Sequence, residues 1–106
     1  MPLGESRYPF TGKMIDGAPR DMGVYVLYRG ERVIYIGRAM GARQGGGSTI
    51  CSRLQEHMNG GVCECSARAT HYSWEIVLQP QLRELELLQA QRETAGELPP
   101  CNAHSA

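Results

Sequence analysis

The 106-residue chain lacks a long apolar run, an excess of charge of either sign and an internal repeat. No segment approaches the roughly 18 consecutive apolar residues that a membrane-spanning helix needs. Residues 1–7 also lack the apolar core of a secretory signal, so we expect a cytoplasmic protein with no membrane association. Eleven basic and eleven acidic residues cancel. This balance excludes the global positive field by which many nucleic-acid-binding proteins are recognised.

The charges are nevertheless unevenly distributed along the chain. Between residues 13 and 53 there are seven basic and three acidic residues, whereas residues 83–97 contain four glutamates and two arginines. The sequence therefore predicts a basic first half and an acidic final helix.

The four cysteines lack the spacing of a structural zinc site, which usually consists of two closely spaced pairs. Cys63 and Cys65 form the only close pair. Because thiols stay reduced in the cytoplasm, we expect free cysteines. A disulfide is one alternative, and a zinc site made by Cys63, Cys65 and a histidine is another.

The order of local patterns predicts one small α+β domain over residues 1–106, with an irregular N-terminal segment at 1–20. β-Branched and aromatic residues predict a hairpin and a later third strand. Two segments with helical apolar spacing are bounded by a capping residue or proline at one end and by glycine at the other. Strands are predicted at 24–28, 33–36 and 71–78, and helices at 50–59 and 81–94. These elements suit a small three-stranded, mainly antiparallel sheet flanked by helices.

The hairpin carries two short motifs, Gly-Val-Tyr ending at Tyr25 and Tyr-Ile-Gly beginning at Tyr35. Because side chains alternate between the faces of a strand, the hairpin register decides whether the two phenols share a face. If Tyr25 lies opposite Tyr35, the turn centres on Gly30, which adopts a positive φ without steric cost. We predict this odd-length turn and a shared face. A two-residue turn at Gly30 and Glu31 would instead pair Val26 with Tyr35 and separate the tyrosines.

Several polar residues that could take part in catalysis or binding follow the hairpin along the chain. Arg53 and His57 lie four residues apart on a predicted helix and therefore share a face. Glu84 and Glu86 lie on the final helix, and Asn102 follows two prolines. Taken singly, these are ordinary solvated charges and a turn residue. The two tyrosines alone would be ordinary packing residues of a strand.

The joint pattern resembles the GIY-YIG nuclease superfamily, and the resemblance extends from about residue 20 to residue 102. It implies a metal-dependent endonuclease that hydrolyses DNA phosphodiester bonds on one face of a three-stranded sheet. The implied cofactor is Mg²⁺, or Mn²⁺ in its place, and the implied partner is DNA.

The resemblance also implies roles for the proton-transferring residues. Tyr25 is the first choice for the general base, and Tyr35 contacts the same water or the phosphate. A free phenol has a pKa of about 10, so Tyr25 needs a nearby cation or hydrogen bond to accept a proton. His57 is the alternative base because its ordinary pKa lies near neutrality.

The remaining implied roles concern phosphate, metal and geometry. The planar fork of Arg53 suits the charge of a pentavalent transition state. Glu84 is the predicted metal ligand, with Glu86 as the alternative, and Asn102 fixes tyrosine or substrate geometry. The predicted substrate-binding residues are Gly37, Arg38 and Arg43.

An alternative function is a catalytically silent module that binds nucleic acid or protein on the same fold. We expect no additional DNA-binding domain, and the neutral net charge predicts weak, salt-sensitive binding to DNA. A protein partner that targets the nuclease is therefore part of the prediction.

Overall fold

The computed structural model describes residues 6–41 and 48–102. The elements are β1 (Tyr8–Pro9), α1 (Gly12–Asp16), β2 (Gly23–Arg29), β3 (Arg32–Ala39), α2 (Ile50–Met58), α3 (Glu64–Ala67), β4 (His71–Ile76) and α4 (Pro80–Ala95). The strands form one antiparallel sheet in the order β1-β4-β2-β3. The predicted α+β class is confirmed, although the sheet has four strands where three were predicted.

The fourth strand lies in the segment that was predicted to be irregular. Tyr8 pairs with Tyr72 at the outer edge of β4, and its ring stacks 6.4 Å from that of Trp74. Thr11 then caps α1 by accepting a hydrogen bond from the Met14 amide. A strand of two residues is too short to produce an alternating pattern, which is why the sequence did not indicate it.

The hairpin combines a two-residue turn with a β-bulge. Arg29 pairs with Arg32 across the turn, where Gly30 has a φ of +64°. The register then shifts by one residue, so that Leu27 pairs with Tyr35 and Ile34 is the extra residue of β3. The predicted odd-length turn was wrong.

The bulge nevertheless places both tyrosines on one face. Tyr25 pairs with Gly37 rather than with Tyr35, so the predicted direct pairing was wrong. The predicted shared face is confirmed, because the two rings stack with centroids 6.1 Å apart. A bulge puts two residues of one strand opposite one of the other and so reverses the alternation beyond it. The two-residue turn therefore leaves the phenols together.

The longer helices begin and end near the predicted residues. Thr49 caps α2 in a reciprocal pair of hydrogen bonds with Ser52. The α4 helix has Pro80 in its first turn and ends at Gly96, whose φ of +83° closes the helix. The four-residue α3 was not predicted.

The sheet buries a different apolar cluster on each face. One face carries Tyr25 and Tyr35 and packs against α1 and α2, with Leu54 of α2 in the same cluster. The other face packs against Leu87 of α4 and contains Val24 and Val26. The candidate tyrosines and α4 therefore start from opposite faces of the sheet.

A disulfide joins Cys65 in α3 to Cys101 in the C-terminal segment. The expectation of four free thiols was wrong, since only Cys51 and Cys63 are free. The zinc alternative was also wrong, because the sulfur of Cys65 is used in the disulfide. Across 6–41 and 48–102, no group of three or more metal-ligating side chains occurs. None of the helices in these ranges is both long and apolar enough to cross a membrane.

Candidate active site

The site is built around the buried ring of Tyr25, which lies directly over Gly37. A Cβ at position 37 would collide with the Tyr25 hydroxyl and would lie 2.7 Å from Cε1 of Tyr35. A Cβ at Gly23 would collide with the carbonyl oxygen of Glu75 on β4. Packing therefore explains why both motifs contain glycine. The first glycine lets two strands approach, and the second makes room for the Tyr25 phenol.

A hydrogen-bonded chain runs from Tyr25 into the interior. The Tyr25 hydroxyl lies 2.8 Å from Nε2 of His57, and Nδ1 of His57 lies 2.7 Å from Oγ of Ser66. Ser66 Oγ donates to the carbonyl oxygen of Cys63. Because the Ser66 hydroxyl proton is used in that bond, Ser66 Oγ accepts a hydrogen bond from Nδ1–H of His57. Nε2 of the neutral imidazole then carries no proton and accepts a hydrogen bond from the Tyr25 hydroxyl. The chain has one consistent direction, from Tyr25 to His57 to Ser66.

Tyr35 closes the aromatic group around this chain. Its ring meets the His57 ring edge-on, with centroids 4.5 Å apart. The Tyr35 hydroxyl has no hydrogen bond with the residues that the structure describes, and it is not a fully buried atom. Tyr35 is itself largely buried, with 6% of its surface exposed, and His57 is fully buried.

Burial sets the protonation of the first two groups in the chain. It raises the pKa of Tyr25, and the neighbouring Tyr35 raises it further, while Arg53 acts in the opposite direction. Burial and then the charge of Arg53 lower the pKa of His57 to about 4. At neutral pH the phenol is therefore protonated and the imidazole is neutral.

Arg53 brings a guanidinium to the Tyr25 hydroxyl from α2. Its positive charge lowers the pKa of Tyr25, which opposes the effect of burial. Its Nη1 also donates to Glu56 one turn along the helix, at 2.8 Å. The side chain is about a quarter exposed, at 27%. Arg53 therefore joins the buried chain to the surface.

Glu84 reaches the strand edge from α4 by pairing with Arg38. Arg38 Nη1 donates to Glu84 Oε1 at 2.7 Å, and Arg38 follows Gly37 in β3. The Glu84 charge raises the pKa of Tyr25. Glu86 instead pairs with Arg83 and its side chain is 55% exposed. Of the two candidate carboxylates, Glu84 is the one whose field acts on the phenol.

The side chain of Asn102 binds the backbone of Ile36 in the second motif. Its Oδ1 accepts from the amide of Ile36 and its Nδ2 donates to the carbonyl oxygen of Ile36, both at 2.9 Å. The amide of Cys101 donates to the carbonyl oxygen of Ile34. The C-terminal segment thus pairs with the free edge of β3 and supports the residues on either side of Tyr35.

The structure brings most of the predicted site residues together. Tyr25, Tyr35, Arg53 and His57 lie together on one face of the sheet, and Asn102 lies at the edge of β3. Glu84 instead reaches Arg38 of β3 from the helix on the other face, so the implied gathering of all these residues on one face was wrong. Arg43 lies outside the described residues. Sequence reasoning missed Ser66 and the Cys65–Cys101 bond, because neither a single serine in a short helix nor a pair of cysteines 36 residues apart forms a local pattern.

Comparison with known proteins supports the fold. No protein-family model and no curated protein matches the chain. A solved structure that is similar is the GIY-YIG N-terminal endonuclease domain of UvrC from Thermotoga maritima, a point mutant bound to its catalytic divalent cation. The TM-score is 0.54 at 20% sequence identity, covering 80% of this chain and 88% of that domain. The chain therefore has a GIY-YIG-like fold, as its paired motifs indicated.

Proposed function

We propose that the protein is a metal-dependent endonuclease that hydrolyses DNA phosphodiester bonds. The observation that carries the proposal is the arrangement of Tyr25, Tyr35, His57 and Arg53 around one point of a GIY-YIG-like fold. The similar UvrC domain is an endonuclease with a catalytic divalent cation. Protein targeting to DNA, a cytoplasmic location and a single domain over residues 1–106 stay predictions.

The direction of the hydrogen bonds supports a proton path through Tyr25 and His57. Tyr25 accepts a proton from the attacking water while it passes its own proton to Nε2 of His57, so the phenol never needs to become a free phenolate. His57 is too deeply buried to take the proton from water itself. Its low pKa makes the resulting imidazolium a strong acid, which returns the proton by the same path. Tyr25 and His57 therefore act as one general base.

Arg53 and Tyr35 act on the phosphate and the water. The guanidinium of Arg53 carries a full positive charge beside the Tyr25 hydroxyl, where negative charge develops on the phosphate oxygens. In this proposal the hydroxyl of Tyr35 orients the water or a phosphate oxygen. Gly37 and Arg38, with Arg43, remain the proposed substrate-binding residues.

The residues around Glu84 fit a hydrated magnesium or manganese ion. A hard divalent cation prefers carboxylate oxygens and commonly takes only one or two carboxylates, keeping several waters. Glu84 offers Oε2, since only Oε1 accepts from Arg38 among the described residues. When bound, the ion neutralises phosphate charge and lowers the pKa of a bound water. Glu86, held by Arg83 on the other side of the helix, stays the alternative ligand.

A nicking assay on supercoiled plasmid tests the proposal. We expect the wild type to nick the plasmid with Mg²⁺ or Mn²⁺ and not with EDTA. Glu84→Gln should lower the rate by about 100-fold or more, whereas Glu86→Gln should retain it. Loss of activity in Glu86→Gln, with activity retained in Glu84→Gln, would assign the metal-binding role to Glu86 instead. Wild-type protein that binds DNA without cleaving any form of it would instead support the silent module.

A further inference from the structure

A cavity lies at the turn of the hairpin and is lined by three arginines. Its volume is about 580 Å³, and Arg29, Arg32 and Arg68 contribute to its walls. The disulfide partners Cys65 and Cys101 line it as well. None of the groups in the Tyr25–His57–Ser66 chain lines this cavity, so it is a separate feature.

The fold holds the three arginines at one place. Arg29 and Arg32 flank the two-residue turn and are paired across it. The turn is attached to the segment after α3, because the amide of Gly30 donates to Oγ1 of Thr70 at 2.8 Å. Arg68 precedes Thr70 by two residues. The arginine arrangement therefore depends on a defined hairpin contact and not on mobile side chains alone.

The charge of the three guanidiniums is not balanced within the described chain. Among the described residues, ion pairs are formed by Arg38, Arg53 and Arg83. None of these pairs includes an arginine of the cavity. Glu64 is the one acidic residue lining the cavity, so its lining carries a net charge of +2, from three arginines and one glutamate. This local excess occurs in a chain whose overall charge is zero.

We propose that this cavity binds phosphate groups. Guanidinium groups bind phosphate oxygens through two parallel hydrogen bonds, which suits a cavity lined by three arginines. The cavity also includes Ile34 and Cys63, and Cys63 is linked to Ser66 at the end of the proton chain. The proposed nuclease function favours the backbone of a bound nucleic acid strand as the source of the phosphates. The nucleic-acid source rests on the proposed nuclease function, whereas phosphate binding does not.

Binding of a short DNA duplex, measured by fluorescence anisotropy in EDTA, separates this site from cleavage. Each lost phosphate contact should reduce the slope of log affinity against log salt by about 1, so the triple variant Arg29→Gln/Arg32→Gln/Arg68→Gln should reduce it by about 3. Arg92→Gln, an exposed arginine on α4, is the control and should leave the slope unchanged. Arg68→Lys keeps the charge but lacks the fork, so it should keep the slope while weakening affinity.

Titration with inorganic pyrophosphate distinguishes the source of the phosphate. Weakened duplex binding in the triple variant supports a nucleic acid strand. Pyrophosphate binding that the triple variant loses, with unchanged duplex binding, supports a free phosphorylated molecule. If the triple variant binds both probes as the wild type does, the proposal is overturned, and far-UV circular dichroism checks that each variant is folded. Absence of plasmid nicking would affect the nuclease proposal but none of these binding results.

Discussion

At the scale of single residues, Gly37 shows how a motif glycine makes room for the Tyr25 phenol. The position has no room for a methyl group because Tyr25 lies over it. The same reasoning could not be made from the sequence, where Gly37 was predicted only as a substrate contact. The motif indicated the fold from the sequence alone, but the contact between Gly37 and Tyr25 required the register of two strands.

We predict that Gly37→Ala displaces the Tyr25 ring and impairs both folding and cleavage. Overpacking of this kind typically lowers the free energy of unfolding by about 1–3 kcal/mol. Urea denaturation measures that loss, and the nicking rate should fall with it. Gly12→Ala is the matched control, because no atom lies within 4 Å of a Cβ there. Equal stability of the two variants would contradict the packing of Tyr25 on Gly37.

The buried histidine makes stability depend on acid. The pKa of His57 falls from 6.5 to about 4 on folding, so the unfolded chain binds more protons between these pH values. The free energy of unfolding should therefore decrease as the pH falls from 6.5 to 4, by roughly 2 to 4 kcal/mol for this group. Above pH 6.5 the contribution of His57 to the free energy of unfolding should not depend on pH. Urea denaturation across this range measures the decrease.

A pair of variants assigns that decrease to the buried ring. His57→Gln removes the titrating group and should flatten the acid decrease. His71→Gln, at the start of β4 and less buried, should keep it. A wild-type decrease that persists unchanged in His57→Gln would show that other groups cause it.

At the scale of elements, the hairpin shows the limit of reading a register from a turn. Gly30 correctly marked the turn, and β-branched residues marked both strands. The sequence contained no signal for the bulge at Ile34, which resembles any other apolar strand residue. The shared face of Tyr25 and Tyr35 was predicted from the required chemistry, and it arises by a different pairing from the one expected.

The C-terminal segment is a second element whose importance depends on a long-range bond. The disulfide attaches Cys101 to α3, and Cys101 in turn precedes Asn102 on the edge of β3. In the chain-entropy account, closing a loop of this length stabilises a protein by about 4 kcal/mol. We predict that dithiothreitol lowers the wild-type melting temperature and slows cleavage, because Asn102 is no longer held against Ile36.

A double variant, Cys65→Ser/Cys101→Ser, provides the control for that prediction. It should be as unstable without dithiothreitol as the wild type is with it, and further reductant should not affect it. Calorimetry measures both melting temperatures. A wild type whose stability and cleavage are insensitive to reduction would contradict the role of the disulfide.

At the scale of the whole molecule, the sheet separates the two halves of the site. Tyr25 and its proton chain occupy one face, and Glu84 arrives from the helix on the other face. On that second face Glu84 pairs with Arg38 of β3, and its charge raises the pKa of Tyr25. The sequence predicted the α+β class because helix caps and strand patterns are local, and the candidate residues followed from the resemblance of the paired motifs. It could not predict the disulfide, β1 or the meeting of Glu84 with the edge, since each depends on packing between distant segments.

The most direct test of the proposed catalysis compares two tyrosines on the same strand. Tyr25 donates to His57, whereas the Tyr28 hydroxyl is bonded to Ser73 and its ring packs on the opposite face. Removal of each hydroxyl changes one oxygen atom in the same buried strand. In the Mg²⁺-dependent nicking of supercoiled plasmid, we predict that Tyr25→Phe reduces the rate by about 100-fold or more and that Tyr28→Phe retains it. Equal rates in the two variants, or no nicking by the wild type, would contradict the proposed nuclease mechanism.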